Sequence, residues 1–289
     1  MRFALRLSGA LLACYIAAVT SRGVNWYVAS SNLLGNAALL EKHGAAISGA
    51  YLCCNFIQFL ANGTLVSRYS DAESSAQISV FTSAFVETWA VGGVAEAAIY
   101  SGSWKNGLAE AARVSKLLLQ DGLAGIIIDY EPSSNYTQTH ATAYGEFLGA
   151  LSAAIAPLRV GMDIAGWGIL GPSYWHAYTG RGVSRFTSMT PTYDATNVTA
   201  DEVFVAAAQA FFPPGAYAVG VGSVLAEGHT CGGGDFKWRN DTLSPFIDSV
   251  RQQSVEFVDV WRCDIDTRYG VPDDLTAPFV FDALAGFLA

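Results

Sequence analysis

The stretch Gly125-Ile126-Ile127-Ile128-Asp129-Tyr130-Glu131-Pro132 decides how this chain is read. Residues 125–128 are apolar without polar alternation. A strand of that kind is covered on both faces, and such strands belong to parallel sheets flanked by helices. Pro132 has no N–H to donate to a ladder, so the strand closes before it. Asp129 and Glu131 stand at i and i+2, which on extended backbone puts both carboxylates on one face. Like charges at short range raise one pKa and keep one carboxyl protonated near neutral pH, as a proton donor requires. Capping the next helix, or facing water, is the other use of acids at a strand end.

Working outward, apolar strands alternate with helical spacing. Strands are expected at 25–29, 50–60, 85–91, 125–129, 159–165, 186–192, 217–221 and 255–261. Helices are expected at 37–46, 105–120, 141–158, 201–212, 245–253 and from 275 onward. In 141–158, Tyr144, Phe147, Leu148, Leu151 and Ile155 fall on one helical face. Eight β/α units point to an α/β fold, a single (β/α)8 TIM barrel, with an open doubly wound sheet as the alternative. No GxGxxG or GxxxxGK[ST] fingerprint for a nucleotide occurs.

Composition agrees with one packed domain. Of 289 residues, 52% are hydrophobic and only 14% charged, the reverse of a disordered chain. A net charge of -9 lacks the footprint of a nucleic-acid or anionic-membrane binder. Arg2 and Arg6 precede an apolar run at 7–19 that ends in Thr20-Ser21. That pattern reads as a secretory signal peptide over residues 1–21, leaving one domain at 22–289, free of the membrane after cleavage and secreted or lysosomal. Sequons at Asn62, Asn135, Asn197 and Asn240 fit that route. Beyond Cys14, four cysteines remain. Cys231 and Cys263 are candidates to pair, and the adjacent Cys53 and Cys54 are either a strained pair or buried thiols. The four His residues show no metal-ligand spacing, so no metal and no cofactor are expected.

Asp129-Tyr130-Glu131 after an apolar strand resembles the end of the DxxDxDxE signature of glycoside hydrolase family 18, the chitinase family. Further motifs fall in the same order. Ala90-Val91-Gly92-Gly93 resembles the SxGG that closes that family's third strand. Thr192-Tyr193-Asp194 resembles the M-x-Y-D motif after the sixth, and Trp261 stands where the family has a tryptophan at the end of the eighth. Asn55 and Phe56, then Asn62-Gly63-Thr64, resemble the family's second strand and the turn after it. The resemblance runs through nearly all of 22–289. The chain departs from it at Ala124 and Ile127, which occupy the first two Asp positions of the signature, and at Pro191 and Ala90.

The resemblance implies a retaining, substrate-assisted glycosidase acting on chitooligosaccharides or an N-glycan core. Glu131 would protonate the leaving oxygen. The substrate's acetamido oxygen would attack the anomeric carbon while Asp129 orients that group, and Tyr193 and Asp194 would hydrogen-bond it from the far side. Trp261 would lie under the sugar ring, with Trp89 and Trp167 as further sugar contacts. The partner implied is a carbohydrate containing N-acetylglucosamine. Asp163 is read as a loop or capping residue, with a place facing the site as the alternative. Two other readings stand beside this one: a non-catalytic, chitinase-like carbohydrate-binding protein, and a barrel hydrolase using Asp129 or Glu131 as nucleophile.

Overall fold

A computed structural model describes residues 22–29, 32–54, 56–133, 136–193, 197–224, 238–261 and 276–289. Its strands are β1 (Gly23–Ala29), β2 (Gly49–Cys53), β3 (Ile57–Phe59), β4 (Leu65–Ser67), β5 (Glu87–Val94), β6 (Gly125–Asp129), β7 (Arg159–Ile164), β8 (Val183–Ser188), β9 (Tyr217–Gly222) and β10 (Phe257–Trp261). Every pairing is parallel except that of β3 with β4, and β2 pairs with both β1 and β5. The sheet therefore closes into the eight-stranded (β/α)8 barrel that the strand–helix alternation implies. The helices α1 (Leu33–His43), α2 (Asp71–Thr82), α3 (Glu96–Ser101), α4 (Leu108–Gln120), α5 (Gln138–Ile155), α6 (Thr190–Tyr193), α7 (Val198–Phe211), α8 (Asn240–Gln252) and α9 (Pro278–Leu288) lie between and after the strands.

Three expected elements differ, each for a physical reason. The run at 50–60 is two strands, not one. β2 ends at Cys53, whose sulfur is joined to that of Cys54, and β3 then runs beside the upper part of β5. The third barrel strand is shifted from 85–91 to Glu87–Val94. Phe85 occupies a turn at φ 59° and is 99% exposed, so it cannot begin a strand. The sixth ends at Ser188 rather than 192. Pro191 has no ladder donor, and the chain turns into the short helix α6 instead.

Helix α2 has no counterpart among the expected helices, because Ser74, Ser75 and Gln77 blur its apolar face. Its start is nonetheless written in the sequence. The Ser70 side chain accepts from the Glu73 N–H, and Glu73 Oε2 accepts from the Ser70 N–H at 2.8 Å. That is a capping box.

Apolar side chains on the outer barrel face pack under the helices. Trp26 of β1 is fully buried, with its ring 5.2 Å from Phe281 of α9, which itself stacks on His43 at 3.6 Å. Inside the barrel the foot is filled by Trp89. Its indole N–H donates to Glu87 Oε1 at 2.8 Å, and the Arg159 guanidinium lies 4.6 Å from the ring centre. Gly125 faces this tryptophan on the next strand. A Cβ there would collide with the Trp89 ring and the Arg159 carbonyl, so glycine is what lets Trp89 plug the barrel.

Candidate active site

β6 delivers both carboxylates to the C-terminal mouth of the barrel, the end where barrel enzymes carry their chemistry. Alternation along the strand points Ile127 and Asp129 inward, and Ile126 and Ile128 outward under the helices. Asp129 is half-buried at the strand end, and Glu131 is exposed just beyond it. Tyr130, between them, points the other way and is buried. Its hydroxyl lies 2.7 Å from Nε2 of His140, in the first turn of α5, and the Tyr100 hydroxyl of α3 lies 2.9 Å from Nδ1 of the same ring. One imidazole thus ties the carboxylate segment to two helices. His140→Ala is expected to strand the buried Tyr130 hydroxyl and lower stability by about 1–3 kcal/mol. Urea unfolding checks this, and an unchanged midpoint would remove His140 as the anchor.

The lumen beneath the mouth is polar. Asp163, on β7, is 1% exposed, and its Oδ1 accepts from the Tyr27 hydroxyl at 3.2 Å. The Tyr27 ring in turn lies 4.4 Å from that of Trp261, at the end of β10. Deeper, Asp259 is wholly buried. It accepts from Asn25 Nδ2 at 2.6 Å and from Thr187 Oγ1 at 2.5 Å, and the buried Arg185 attracts it. The Arg185 guanidinium also sits 3.9 Å from the centre of the Phe257 ring.

Burial, then the Glu131 charge, pushes the Asp129 carboxyl up to about 7. Partial burial raises Glu131 as well. Asp163 is raised well above the usual carboxylate range, by burial first and by Asp129 second. Carboxyls raised in this way favour the folded state while they hold their protons. The stability they add is fully present below the ordinary carboxylate range of about 4 and is lost as pH rises through about 7. The thermal midpoint is therefore expected to fall between pH 5 and pH 8, and Asp129→Asn to flatten that fall. A midpoint that rises over this range would contradict the assignment.

Neither a protein-family model nor a curated protein sequence matches the chain. Solved structures do. A chitinase from Chromobacterium violaceum aligns with a TM-score of 0.66 over 93% of this chain and 99% of its own, at 12% identity. A GH18 chitinase variant from Cycas revoluta, in complex with (GlcNAc)4, aligns at 0.59 over 93% of this chain and 100% of its own, again at 12% identity. The chain has the fold of the chitinases. A GH113 β-1,4-mannanase shares it too, at a TM-score of 0.58 over 92% of this chain and 97% of its own, with 10% identity. A barrel shared with a mannanase does not select a substrate.

Within this chitinase fold the residues singled out in the sequence separate into groups. Asp129, Glu131 and Trp261 lie at the C-terminal mouth, at or just beyond the ends of β6 and β10. Trp167, 41% exposed, follows β7 at the same end. Trp89 does not join them. It pairs with Gly125, four residues below Asp129, and is 1% exposed, so it fills the foot of the barrel and no sugar reaches it. Tyr193 closes α6, but its side chain and Asp194 lie outside the described residues, as do residues 1–21, Asn135, Cys231 and Cys263. Asp163 is a correction: it is neither a loop nor a capping residue but lines the lumen next to Asp129. Tyr27, Asn25, Arg185 and Asp259 were missed. Their signal was inward parity along strands 1, 6 and 8 of the barrel, which is usable only once strand registers are known. Among the described residues, no group of three or more His, Cys, Asp or Glu side chains could hold a metal ion. No helix among them is long and apolar enough to cross a membrane.

Proposed function

We propose that this chain is a secreted or lysosomal glycosidase that hydrolyses β-linked N-acetylglucosamine in chitooligosaccharides or an N-glycan core. The observation that carries the reading is the Asp129 and Glu131 pair at the mouth of the barrel, with both carboxyls raised and Trp261 across the opening. Glu131 sits outermost, where a leaving oxygen arrives, with its carboxyl raised by partial burial, and it serves as the acid that protonates that oxygen. Asp129 stands behind it and hydrogen-bonds the acetamido group, whose oxygen serves as nucleophile, so configuration is retained. Trp261 offers an apolar face to the ring, and Trp167 a second one further out. Tyr193 and Asp194 complete the grip on the acetamido group. Delivery by a signal peptide at 1–21 and N-glycans on the sequons belong to the same proposal. The described sequon residues Asn62, Asn197 and Asn240 are exposed, as glycan attachment requires.

The test is hydrolysis of fluorogenic N-acetylglucosamine and chitobiose glycosides, with product configuration followed by proton NMR. Release of the β-anomer first supports the reading. Turnover with inversion would replace it by a different mechanism. One observation favours a second reading, a carbohydrate-binding protein without turnover. Ile127 sits in an apolar cluster with Tyr27, Tyr51, Trp89 and Val91, so no acid reaches Asp129 from its own strand. A folded protein that binds glycans on an array and hydrolyses none would be that protein.

A further inference from the structure

Asp163 lies outside every motif that suggested a function, yet its surroundings are specific. The pairing of β6 with β7 runs Gly125 with Arg159, Ile127 with Gly161, and Ile128 with Met162. The next pair in that register is Asp129 beside Asp163. Neighbouring strands lie about 4.8 Å apart, and both residues have the parity that points into the lumen. The same parity puts Ile127 in the lumen apolar cluster and lets Asp163 reach Tyr27. Asp163 Oδ1 accepts from the Tyr27 hydroxyl, while its buried Oδ2 has no hydrogen-bond partner. A buried carboxylate oxygen without a partner is costly unless a neighbour supplies a proton. The groups acting on Asp163 are Asp129 and Glu131 from the β6 segment, Tyr27 from β1 and Asp259 from β10, with the Tyr144 hydroxyl of α5 also within electrostatic reach. None of these is a cation.

We propose that Asp163 is a positioning residue that shares one proton with Asp129 across the β6–β7 pair. When Asp163 holds the proton, its O–H donates to the Asp129 carboxylate, and Asp129 faces the opening with its negative charge. When Asp129 holds it, Asp163 is the carboxylate and keeps the Tyr27 hydrogen bond. One proton moves and none is gained or lost, so no co-reactant is needed. Two acids that cannot both ionise at this range titrate as a pair. The effect on turnover rests on the glycosidase reading; the shared proton does not.

The experiment is a pH titration of the aspartate carboxyl carbons by 13C NMR on the full chain, for the parent, Asp163→Asn and Tyr27→Phe. Asp163→Asn removes the partner of the pair, so the two coupled aspartate steps should collapse to a single Asp129 step displaced by more than about one unit. Tyr27→Phe removes the bond that favours ionised Asp163 and leaves the fold's core contacts in place. It should move the proton onto Asp163, lowering the Asp129 step and raising the Asp163 step. An Asp129 step that stays put in both folded variants overturns the proposal. If Asp163→Asn does not fold, Tyr27→Phe alone decides, by the same criterion. On a chitobiose glycoside, Asp163→Asn should lower kcat at least about tenfold with KM nearly unchanged, and should shift the pH profile with the NMR step. Shifted titrations in a protein without turnover would leave the shared proton intact and remove the glycosidase reading. Turnover with unshifted titrations would do the opposite.

Discussion

Glu131→Gln is expected to lower hydrolysis of a chitobiose glycoside by about a hundred- to ten-thousand-fold, the usual contribution of general acid catalysis. Glutamine matches glutamate in shape and still hydrogen-bonds, but it cannot give a proton to the departing oxygen. Glu131 is exposed at the mouth, and its carboxyl is raised by partial burial, so the substitution removes a raised acid rather than a packing element. The folded state should therefore be unharmed, and binding of a chitooligosaccharide should stay within a few-fold. The loss should fall on kcat, because the proton moves only in the transition state. The comparison needs steady-state rates for parent and variant with circular dichroism as the folding control. Equal rates in the two proteins would exclude Glu131 as the donor and turn attention to Asp129.

Asp259→Ala should be the most damaging single change to stability, about 3–5 kcal/mol by denaturant unfolding. Asp259 is fully buried and takes hydrogen bonds from Asn25 and Thr187. It also faces Arg185, which is buried and cannot give up its charge. Without Asp259 the guanidinium keeps the electrostatic reach of Tyr51 and Tyr27 and of Glu87, which is itself engaged by Arg159 at 2.7 Å. The amide of Asn25 and the hydroxyl of Thr187 lose their acceptor at the same time. Asp259→Asn, which keeps an acceptor oxygen, should recover part of the loss. A cost below about 1 kcal/mol for Asp259→Ala would mean that water enters the barrel and solvates Arg185. The network would then contribute little to holding the lumen together.

The repeat of apolar strand and amphipathic helix was enough to imply the barrel, because each unit is local. A strand covered on both faces needs helices on both sides, and its composition records that need. The segment 125–129 was legible residue for residue, since Pro132 ends it and three isoleucines fill it. Asp129 and Glu131 were legible for the same reason: their common face follows from spacing on one strand. Where the expectation failed, a nonlocal or backbone-specific cause prevailed. The run at 50–60 is broken because β5 pairs with β2 along its first half and with β3 along its second. Trp89 looked like a sugar contact because it lies near a strand end in sequence, but the strand continues to Val94 and leaves it at the foot.

The sequence by itself determined the fold class, the strand that carries the chemistry and the two acids at its end, because these depend on composition and on periodicities of two and 3.6. Only the tertiary structure decided what stands next to them. That Asp163 lies beside Asp129, that Tyr27 reaches Asp163 from the far side of the chain, and that Asp259 takes hydrogen bonds from Asn25 and Thr187 in the lumen are facts of register and barrel closure. Residues 27, 163 and 259 become neighbours only when eight strands close on themselves, and no local pattern in the chain encodes that contact.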